Sequence, residues 1–462
     1  MKRTRQGIVI PKDATECAAL ARRARADLTV APVVLNQVFP KRFKMFREDA
    51  TSVVVPAFYP PEPDRPPQLA VPDAARVAFG AFGATLKPEL QQPQAVAAVL
   101  QSLETTGGAL LSLATGMGKT TCALHVAAKL GLRTLVLVHK EFLAQQWTDR
   151  ARALLPGVSV TRVQGAGCDT SGDVVVGMLQ TLTQRAFPPA AFQNIGLLVV
   201  DEVHHIAAEV FSKAMFGLAL PKVLGLSATP TRKDGLTKVI HWFFGPISYA
   251  GARGNVDVAV RLVKYRPAEP LAMPLNRRGD VCYASLTSTL VDDPVRTAVV
   301  VDEILKVYGA GGRDVLVLSH RRAHCKAIEA ALVSKGVDAK CFIGGDGTTP
   351  PDAKVVVSTY ALTSEGFDLP RLSALVLATP ASDVVQAAGR VLRNPDQPAL
   401  ILDIADDFPI AYAQLAKRKA FYKKSGFVYE GARAAPAAPA APAAPAAPAA
   451  PAAPAACLFL EE

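Results

Sequence analysis

The segment ATGMGKTT at positions 114–121 combines glycine, lysine and threonine in a spacing that suits phosphate binding. It follows a hydrophobic run at residues 109–113 and is predicted to open a helix at Thr120. Gly116 and Gly118 let backbone N–H groups approach an anion, and the helix N-terminus adds its positive dipole end. Lys119 is placed to reach the β- and γ-phosphates of a nucleoside triphosphate, and the Thr120 hydroxyl is placed to bind Mg²⁺. The predicted ATP-binding loop comprises Thr115, Gly116, Met117, Gly118, Lys119, Thr120 and Thr121.

A second apolar run, at residues 197–201, is predicted to be a strand that ends in two adjacent carboxylates, Asp201 and Glu202. Asp201, together with Thr120, suits the coordination shell of Mg²⁺, and Glu202 suits orienting and deprotonating an attacking water. Paired acids also occur as an ordinary strand end. Because a phosphate-binding loop lies upstream, the pair instead favours ATP hydrolysis.

The segment QAAGRVLR at residues 386–393 places Arg390 and Arg393 three positions apart, on one face of a predicted helix. Two guanidinium groups there are able to reach across a cleft between domains and stabilise the charge that develops on a transferred phosphoryl group. The alternative is a surface helix with salt bridges. The pattern gains weight from the loop and the acidic pair.

Short β-branched runs alternate with helical stretches from about residue 84 to residue 429. The runs are continuously apolar, as expected for parallel sheets covered on both faces, and they form two series joined near residues 250–280. The fold class is therefore α/β, with two tandem sheet domains and functional groups at the carboxyl ends of the strands. The predicted strands are residues 134–139, 173–177, 197–201, 223–227, 315–319, 354–359, 374–378 and 400–404, and the predicted helices include 120–130 and 142–155.

The domain boundaries predicted from composition are 1–83, 84–252, 253–430 and 431–462. The first part begins with a basic helical stretch and ends in a proline-rich segment, 53–72, which is expected to form only edge strands and loop. We interpret it as a small accessory domain and connector. In the last part, proline recurs at every third residue from 436 to 454, which forbids an α-helix and favours a polyproline II spacer with no core.

Basic residues outnumber acidic ones by 51 to 40, which gives a net charge of +11. Residues 1–47 hold eleven basic side chains against three acidic ones. Such clusters favour a polyanionic partner, although runs of charge also occur on ordinary solvated faces. A second basic cluster comprises Lys417, Arg418, Lys419, Lys423 and Lys424.

Composition also argues against several classes of protein. No run approaches the roughly 18 apolar residues of a membrane span, and the N-terminus lacks a signal-peptide core, so a soluble intracellular protein is predicted. The seven cysteines are scattered and form no CxxC pair. Neither a zinc site nor a disulfide framework is therefore predicted.

The segments TGMGKT, DEVHH, SATP at 227–230 and QAAGRVLR resemble, in this order, motifs I, II, III and VI of superfamily 2 helicases. Residues 364–368 resemble motif V, residues 136–147 motif Ia, and residues 177–182 the next motif that faces DNA. Leu113 stands where the strict phosphate-loop pattern has its first glycine, and the looser variant AxTGxGKT of this superfamily matches better. The resemblance covers residues 7–430 and implies two RecA-like domains.

The segments SATPTRKDGL, VLVLSHRRAHC and FYKKSGF resemble the helicases of large nucleocytoplasmic DNA viruses more narrowly. That group includes the poxvirus transcript-release helicase and is related to the XPB branch. The resemblance implies ATP-dependent 3′-to-5′ movement on DNA and a role in viral transcription or DNA metabolism. It further implies a viral RNA polymerase or transcription complex as partner, and the virion and infected cell as locations.

The resemblance also implies roles for individual residues. Adenine recognition is assigned to Gln91, with Gln92 as a close rival, and His204 is favoured over His205 for coupling hydrolysis to domain motion. The other coupling residues are Ser227, Thr229 and Gln386, and further ATP contacts are Gly366 and Asp368. The predicted nucleic-acid contacts are Lys140, Gln180, Thr181, Arg321, Arg322 and Thr359.

Three alternatives to a DNA helicase or translocase remain. An RNA helicase shares these motifs, because they contact the backbone more than the bases. A non-enzymatic nucleic-acid clamp would not need the intact set of Lys119, Asp201, Glu202, Arg390 and Arg393. A restriction-enzyme motor subunit is disfavoured, since only the spacer and CLFLEE follow residue 430, where a nuclease domain would be expected.

Overall fold

The computed structural model describes residues 2–4, 7–12, 15–33, 40–59, 68–69, 76–185, 187–204, 208–218, 220–232, 234–252, 257–268, 273–275, 279, 281–309, 312–344, 351–364, 369, 371–392 and 397–430. Several predictions fall outside these residues. They are the roles of Arg393, Gly366, Asp368 and His205 and the polyproline II tail.

The N-terminal region forms a five-stranded sheet with strand order β5-β6-β2-β1-β7 and a separate two-stranded sheet, β3-β4. Its elements are β1 (Lys2–Thr4), β2 (Gly7–Pro11), α1 (Thr15–Asp27), β3 (Thr29–Val30), β4 (Phe43–Lys44), β5 (Arg47–Glu48), β6 (Ser52–Val55) and β7 (Gln68–Leu69). The expectation that residues 53–72 form only edge strands is wrong, because β6 lies inside the sheet, between β5 and β2. Pro56 follows the last residue of β6, so no ladder N–H is lost.

The second region contains an eight-stranded sheet with strand order β11-β10-β12-β9-β13-β14-β8-β15, parallel except for the β10–β11 pair. Its strands are β8 (Gly108–Leu113), β9 (Thr134–Val138), β10 (Val160–Gln164), β11 (Gly167–Cys168), β12 (Val174–Met178), β13 (Leu197–Val200), β14 (Lys222–Ser227) and β15 (Ile247–Gly251). Its helices are α2 (Gln92–Thr105), α3 (Lys119–Leu130), α4 (Glu141–Leu154), α5 (Leu179–Gln184), α6 (Ala208–Leu218) and α7 (Thr237–Phe244), with short 3₁₀ turns at Pro88–Leu90 and Pro189–Phe192.

The third region contains a seven-stranded parallel sheet with strand order β18-β19-β17-β20-β21-β16-β22. Its strands are β16 (Val258–Tyr265), β17 (Val315–Ser319), β18 (Ala339–Phe342), β19 (Val355–Thr359), β20 (Ala374–Leu377), β21 (Ala399–Asp406) and β22 (Val428–Tyr429). Its helices are α8 (Tyr283–Asp292), α9 (Pro294–Gly309), α10 (Arg322–Ser334), α11 (Tyr360–Ser364), α12 (Val385–Val391) and α13 (Pro409–Lys424).

The central strands are apolar because both faces of each sheet are covered. In β8, for example, Leu110 belongs to one hydrophobic cluster and Leu111 to another, and both are fully buried. Successive side chains of a strand point to opposite faces, so the two clusters lie on opposite sides of the sheet. Within the described residues, no helix is both long and apolar enough to cross a membrane.

Two buried arginines tie helices to the third sheet. Arg296 of α9 donates from Nε and Nη2 to Asp406, at 2.6 and 2.9 Å, and both side chains are fully buried. Arg418 of α13 makes a similar two-pronged contact with Asp403. Arg418 is thus a structural residue, and only the lysines of the predicted basic cluster on α13 are exposed.

Candidate nucleotide-hydrolysis site

The strand order brings three functional segments to one edge of the eight-stranded sheet. Strand β14 lies between β8 and β13 and is parallel to both. The phosphate loop follows β8, Ser227 ends β14, and Asp201 follows β13. Because the carboxyl ends of neighbouring parallel strands meet at the same edge, residues distant in sequence become neighbours here.

The phosphate loop has a conformation that requires glycine. Gly116 and Gly118 have φ values of 84° and 83°, in the left-handed region that side chains disfavour. A Cβ at Gly118 would also lie 2.4 Å from Nε2 of Gln92. Helix α3 begins at the next residue, Lys119, so its free N–H groups face the loop as predicted.

Gln91 and Gln92, the two candidates for adenine recognition, have different surroundings. Gln92 is buried, accepts from the backbone N–H of Lys87 and donates from Nε2 to the Met117 carbonyl at 3.0 Å. Gln91 donates to the Ala252 carbonyl at 2.9 Å and accepts from the Tyr249 hydroxyl at 3.0 Å. Gln92 therefore holds the phosphate loop, whereas adenine recognition by Gln91, beyond β15, stays a prediction.

Lys119 lies between the loop and the acidic pair. Its Nζ donates to the Leu113 carbonyl at 3.4 Å and is 3.7 Å from Oε1 of Glu202. These contacts are long for hydrogen bonds, so a phosphate that arrives at the loop can replace them. Thr115, Thr120 and Thr121 are half-buried around the same loop, where their hydroxyls are accessible to a ligand.

Asp201 is buried and held at both carboxylate oxygens. The indole Nε1 of Trp147 donates to Oδ2 at 2.8 Å, and the backbone N–H of Glu202 donates to Oδ1 at 2.9 Å. Burial and then the charge of Glu202 raise the pKa of Asp201, while Lys119 and Trp147 oppose this rise. A cation beside the pair would relieve the repulsion between the two carboxylates.

The donor set fits Mg²⁺. This ion prefers oxygen ligands, usually retains several waters, and binds through one or two carboxylates plus substrate phosphates. Asp201 supplies a buried carboxylate and Thr120 a hydroxyl at the start of α3. These two residues would hold the ion next to a nucleotide, where it would neutralise charge on the phosphates.

A polar chain connects Glu202 to the end of β14. Nδ1 of His204 is 3.4 Å from Oε2 of Glu202 and 2.8 Å from the Ser227 hydroxyl. The same hydroxyl accepts from the backbone N–H of Thr229 at 3.1 Å. The predicted coupling residues His204, Ser227 and Thr229 thus form one connected group in contact with the acidic pair.

The seven-stranded sheet contributes helix α12 to the phosphate loop. A Cβ at Gly389 would lie 2.6 Å from Cβ of Thr115, so the two backbones approach closely there. Arg390, the next residue, is buried, and Gln386 lies one turn earlier on the same helix. The structure therefore brings the predicted arginine-bearing helix to the loop.

The residues predicted to bind nucleic acid lie at the carboxyl ends of strands in both sheets. Lys140 immediately precedes α4, and Gln180 of α5 donates to the His139 carbonyl at 2.7 Å, which joins two of the predicted segments. Thr181 is buried. Arg321 and Arg322 follow β17, and Thr359 ends β19, the strand paired with β17.

Comparison with known proteins supports the same conclusion. Residues 85–232 match the family described as "Type III restriction enzyme, res subunit". A protein of Acanthamoeba polyphaga mimivirus, provisionally named ATP-dependent RNA helicase L396, is 27% identical over 454 residues, which cover 92% of this chain and 86% of the viral protein. A Frog virus 3 protein, provisionally named helicase 055L, is 30% identical over 341 residues, which cover 69% and 74% of the two chains.

A solved structure also shares the fold. It is S. cerevisiae Dbp5 bound to RNA and ADP BeF3, with a TM-score of 0.52, 15% identity and coverage of 74% of this chain and 93% of that one. Two parallel sheets, with a phosphate loop on one and an arginine-bearing helix on the other, define an ATP-driven motor of the RecA-like class. The chain belongs to the superfamily 2 helicases of large DNA viruses and is an ATP-dependent enzyme.

Proposed function

We propose that this helicase hydrolyses Mg²⁺–ATP between its two RecA-like sheets and uses the cycle to move along DNA, with a role in viral transcription. The observation that carries the proposal is the convergence of three elements on one loop. Lys119 and Glu202 are 3.7 Å apart beside it, and Gly389 of the second sheet packs against Thr115. Groups from both domains thus surround the place where a triphosphate would bind.

Each residue has a distinct task in this proposal. Lys119 and the N–H groups of the phosphate loop bind the phosphates, and Thr120 and Asp201 hold Mg²⁺. Glu202 orients the water and accepts its proton. Arg390, with Arg393, stabilises the charge that develops on the transferred phosphoryl group, so hydrolysis depends on how closely the two domains approach.

The contacts around His204 offer a route from hydrolysis to movement. His204 touches both Glu202 and Ser227, so a change at the γ-phosphate alters hydrogen bonds at the end of β14. The predicted nucleic-acid contacts Lys140 and Gln180 follow neighbouring strands of the same sheet. Rearrangement at this edge of the sheet would then change how the two domains grip the strand.

DNA is the proposed track, and RNA is the second candidate. The motifs of the poxvirus transcript-release group and the restriction-enzyme description of the matched family support DNA. RNA is favoured by the provisional name of the mimivirus relative and by the RNA in the Dbp5 complex. A role in transcription adds a viral RNA polymerase or transcription complex as the proposed partner, because transcript release requires contact with both.

The direct test compares steady-state ATPase activity without nucleic acid and with single-stranded DNA, duplex DNA or RNA of matched length. We expect stimulation by DNA to exceed stimulation by RNA. Stronger stimulation by RNA would establish the second candidate instead. ATPase activity that no nucleic acid changes would contradict a translocating motor.

A further inference from the structure

Trp147 of α4 is a buried tryptophan whose polar atom contacts the metal ligand. Only 1% of the residue is exposed, and its Nε1 donates to Oδ2 of Asp201 at 2.8 Å. The two residues are 54 positions apart in sequence. A buried indole N–H needs an acceptor, but a backbone carbonyl would satisfy it equally well. The choice of the acidic strand end is therefore informative.

The geometry points to Trp147 as the positioning residue that orients Asp201 for Mg²⁺, an inference that rests on the proposed Mg²⁺–ATP hydrolysis. The backbone N–H of Glu202 holds Oδ1 and the indole holds Oδ2, so the carboxylate has two fixed donors and cannot rotate freely. Each oxygen retains a further lone pair for the ion or one of its waters. Trp147 itself touches neither nucleotide nor metal.

The helix that carries Trp147 is well suited to this task. Helix α4 packs on the eight-stranded sheet, and Leu143, Ala144 and Ala151 are buried in the same hydrophobic cluster as the indole. A planar ring set in this cluster has little freedom, so its N–H direction is fixed before the metal arrives. Partners of this kind, which orient a metal-binding side chain, typically change metal affinity by about 10- to 100-fold when they are removed.

The test uses Trp147→Phe, which keeps an aromatic ring and removes the donor. The chain has two tryptophans, so Trp242→Phe is a matched control. Trp242 lies on α7, also largely buried, where it packs against Tyr59 and Lys238. We expect Trp147→Phe to raise the Mg²⁺ concentration that gives half-maximal ATPase activity by about 10- to 100-fold. The KM for ATP at saturating Mg²⁺ should change little, and Trp242→Phe should match the wild type in both.

A second measurement does not depend on turnover or on the stability of Trp147→Phe. In the Trp242→Phe protein, Trp147 is the remaining tryptophan, so intrinsic fluorescence reports on the indole beside Asp201. The protein is loaded with ADP in EDTA and then titrated with Mg²⁺. A saturable change in emission, absent when nucleotide is omitted, supports the inference. An emission that Mg²⁺ leaves unchanged overturns it, even if Trp147→Phe fails to fold.

Asp201→Asn separates failure of this inference from failure of the proposed function. Wild-type turnover and wild-type Mg²⁺ dependence in Asp201→Asn would remove the proposed metal site altogether. If Asp201→Asn is inactive while Trp147→Phe keeps the wild-type Mg²⁺ dependence, the metal site stands and the positioning role of Trp147 is wrong.

Discussion

At the scale of single residues, Glu202 has an unusual backbone. Its φ of 48° lies in the left-handed region, which residues other than glycine seldom adopt, and such conformations cluster at functional sites. The conformation is held by the hydrogen bond from the Glu202 N–H to Asp201 and by the contact between Glu202 and His204. It directs the carboxylate of Glu202 towards Lys119.

We predict that Glu202→Gln retains ATP binding but loses turnover by about 10²–10⁴-fold, the usual contribution of a general base. Lys119→Ala should lose turnover as well, because the ammonium group that contacts the phosphates is gone. ATP binding and steady-state hydrolysis are to be measured side by side. Glu209→Gln is the control, since Glu209 pairs with Lys213 on α6. Normal turnover in either site variant would remove the assignment.

Local sequence was sufficient for some site residues and insufficient for others. The loop around Gly118 and the acids after β13 were predictable because chain-local spacing determines their chemistry. Gln91 and Gln92 could not be separated, since their roles depend on contacts with Ala252 and Met117. The contact of Trp147 with Asp201 was missed, because it joins two elements remote in sequence.

At the scale of elements, α12 meets the phosphate loop at Gly389. The contact requires that the helix surface be bare there, since a Cβ would lie 2.6 Å from Thr115. A short helix that approaches so closely places Arg390 next to the loop. The packing of α12 therefore sets how the two sheets can approach each other.

We predict that Gly389→Ala weakens this approach and lowers nucleic-acid-stimulated ATPase activity. Overpacking typically costs about 1–3 kcal/mol, which corresponds to roughly 5- to 150-fold in an equilibrium. Gly217→Ala on α6 is the control, because nothing lies within 4 Å of the added Cβ there. Equal activity in the two variants would show that the contact is not needed for turnover.

The third sheet contains a buried histidine that titrates with folding. His324 of α10 lies 2.9 Å from the Ser319 hydroxyl and 3.3 Å from the Thr297 hydroxyl. Burial, and then the charge of Arg296, lower the pKa of His324 from 6.5 to about 4. Between these pH values the unfolded chain binds a proton that the folded chain does not bind. Stability is thus fully present above pH 6.5 and is lost as the pH falls towards 4.

We predict that His324→Gln reduces the dependence of thermal stability on pH in this window. At pH 5 the wild type should lose roughly 2 kcal/mol through His324, and the variant should lose none by this route. Melting temperatures from pH 7.5 to pH 5 test the prediction, with His241→Gln as the control. Parallel curves for the wild type and His324→Gln would contradict it.

Strands buried on both faces were predictable, and half-exposed strands were not. The predicted runs at 134–139, 197–201 and 315–319 coincide with β9, β13 and β17, whose residues are all buried. The strand at Val258–Tyr265 was missed because only part of its residues are buried, so it lacks a continuous apolar run. It falls where the sequence suggested only a join between the two series.

At the scale of the whole molecule, the positive charge is unevenly available. Lys12 and Arg25 both pair with Glu48, and Arg418 is buried against Asp403. By contrast, Lys417, Lys419, Lys423 and Lys424 of α13 are exposed. Part of the N-terminal cluster therefore stabilises its own domain, while the lysines of α13 are available to a polyanion.

We predict that binding to single-stranded nucleic acid is sensitive to salt and largely independent of sequence, because a moving motor must hold every sequence. With about five phosphates held, the slope of log K against log salt would be roughly −3.5. Fluorescence anisotropy with labelled oligonucleotides of several sequences measures it. A slope near zero, or a strong preference for one sequence, would be incompatible with a translocating motor.

The central claim is that ATP is hydrolysed between the two sheets by groups from both. Arg390→Ala tests it most directly, because Arg390 is buried on α12 of one domain and the phosphate loop belongs to the other. A lone arginine finger contributes about 10³–10⁵ in rate, and we expect a smaller loss here, at least about tenfold, because Arg393 is proposed to share the task. Nucleic-acid binding should persist, and Arg266→Ala, an exposed arginine, should match the wild type. Nucleic-acid-stimulated ATPase activity that Arg390→Ala leaves unchanged would contradict the two-domain site.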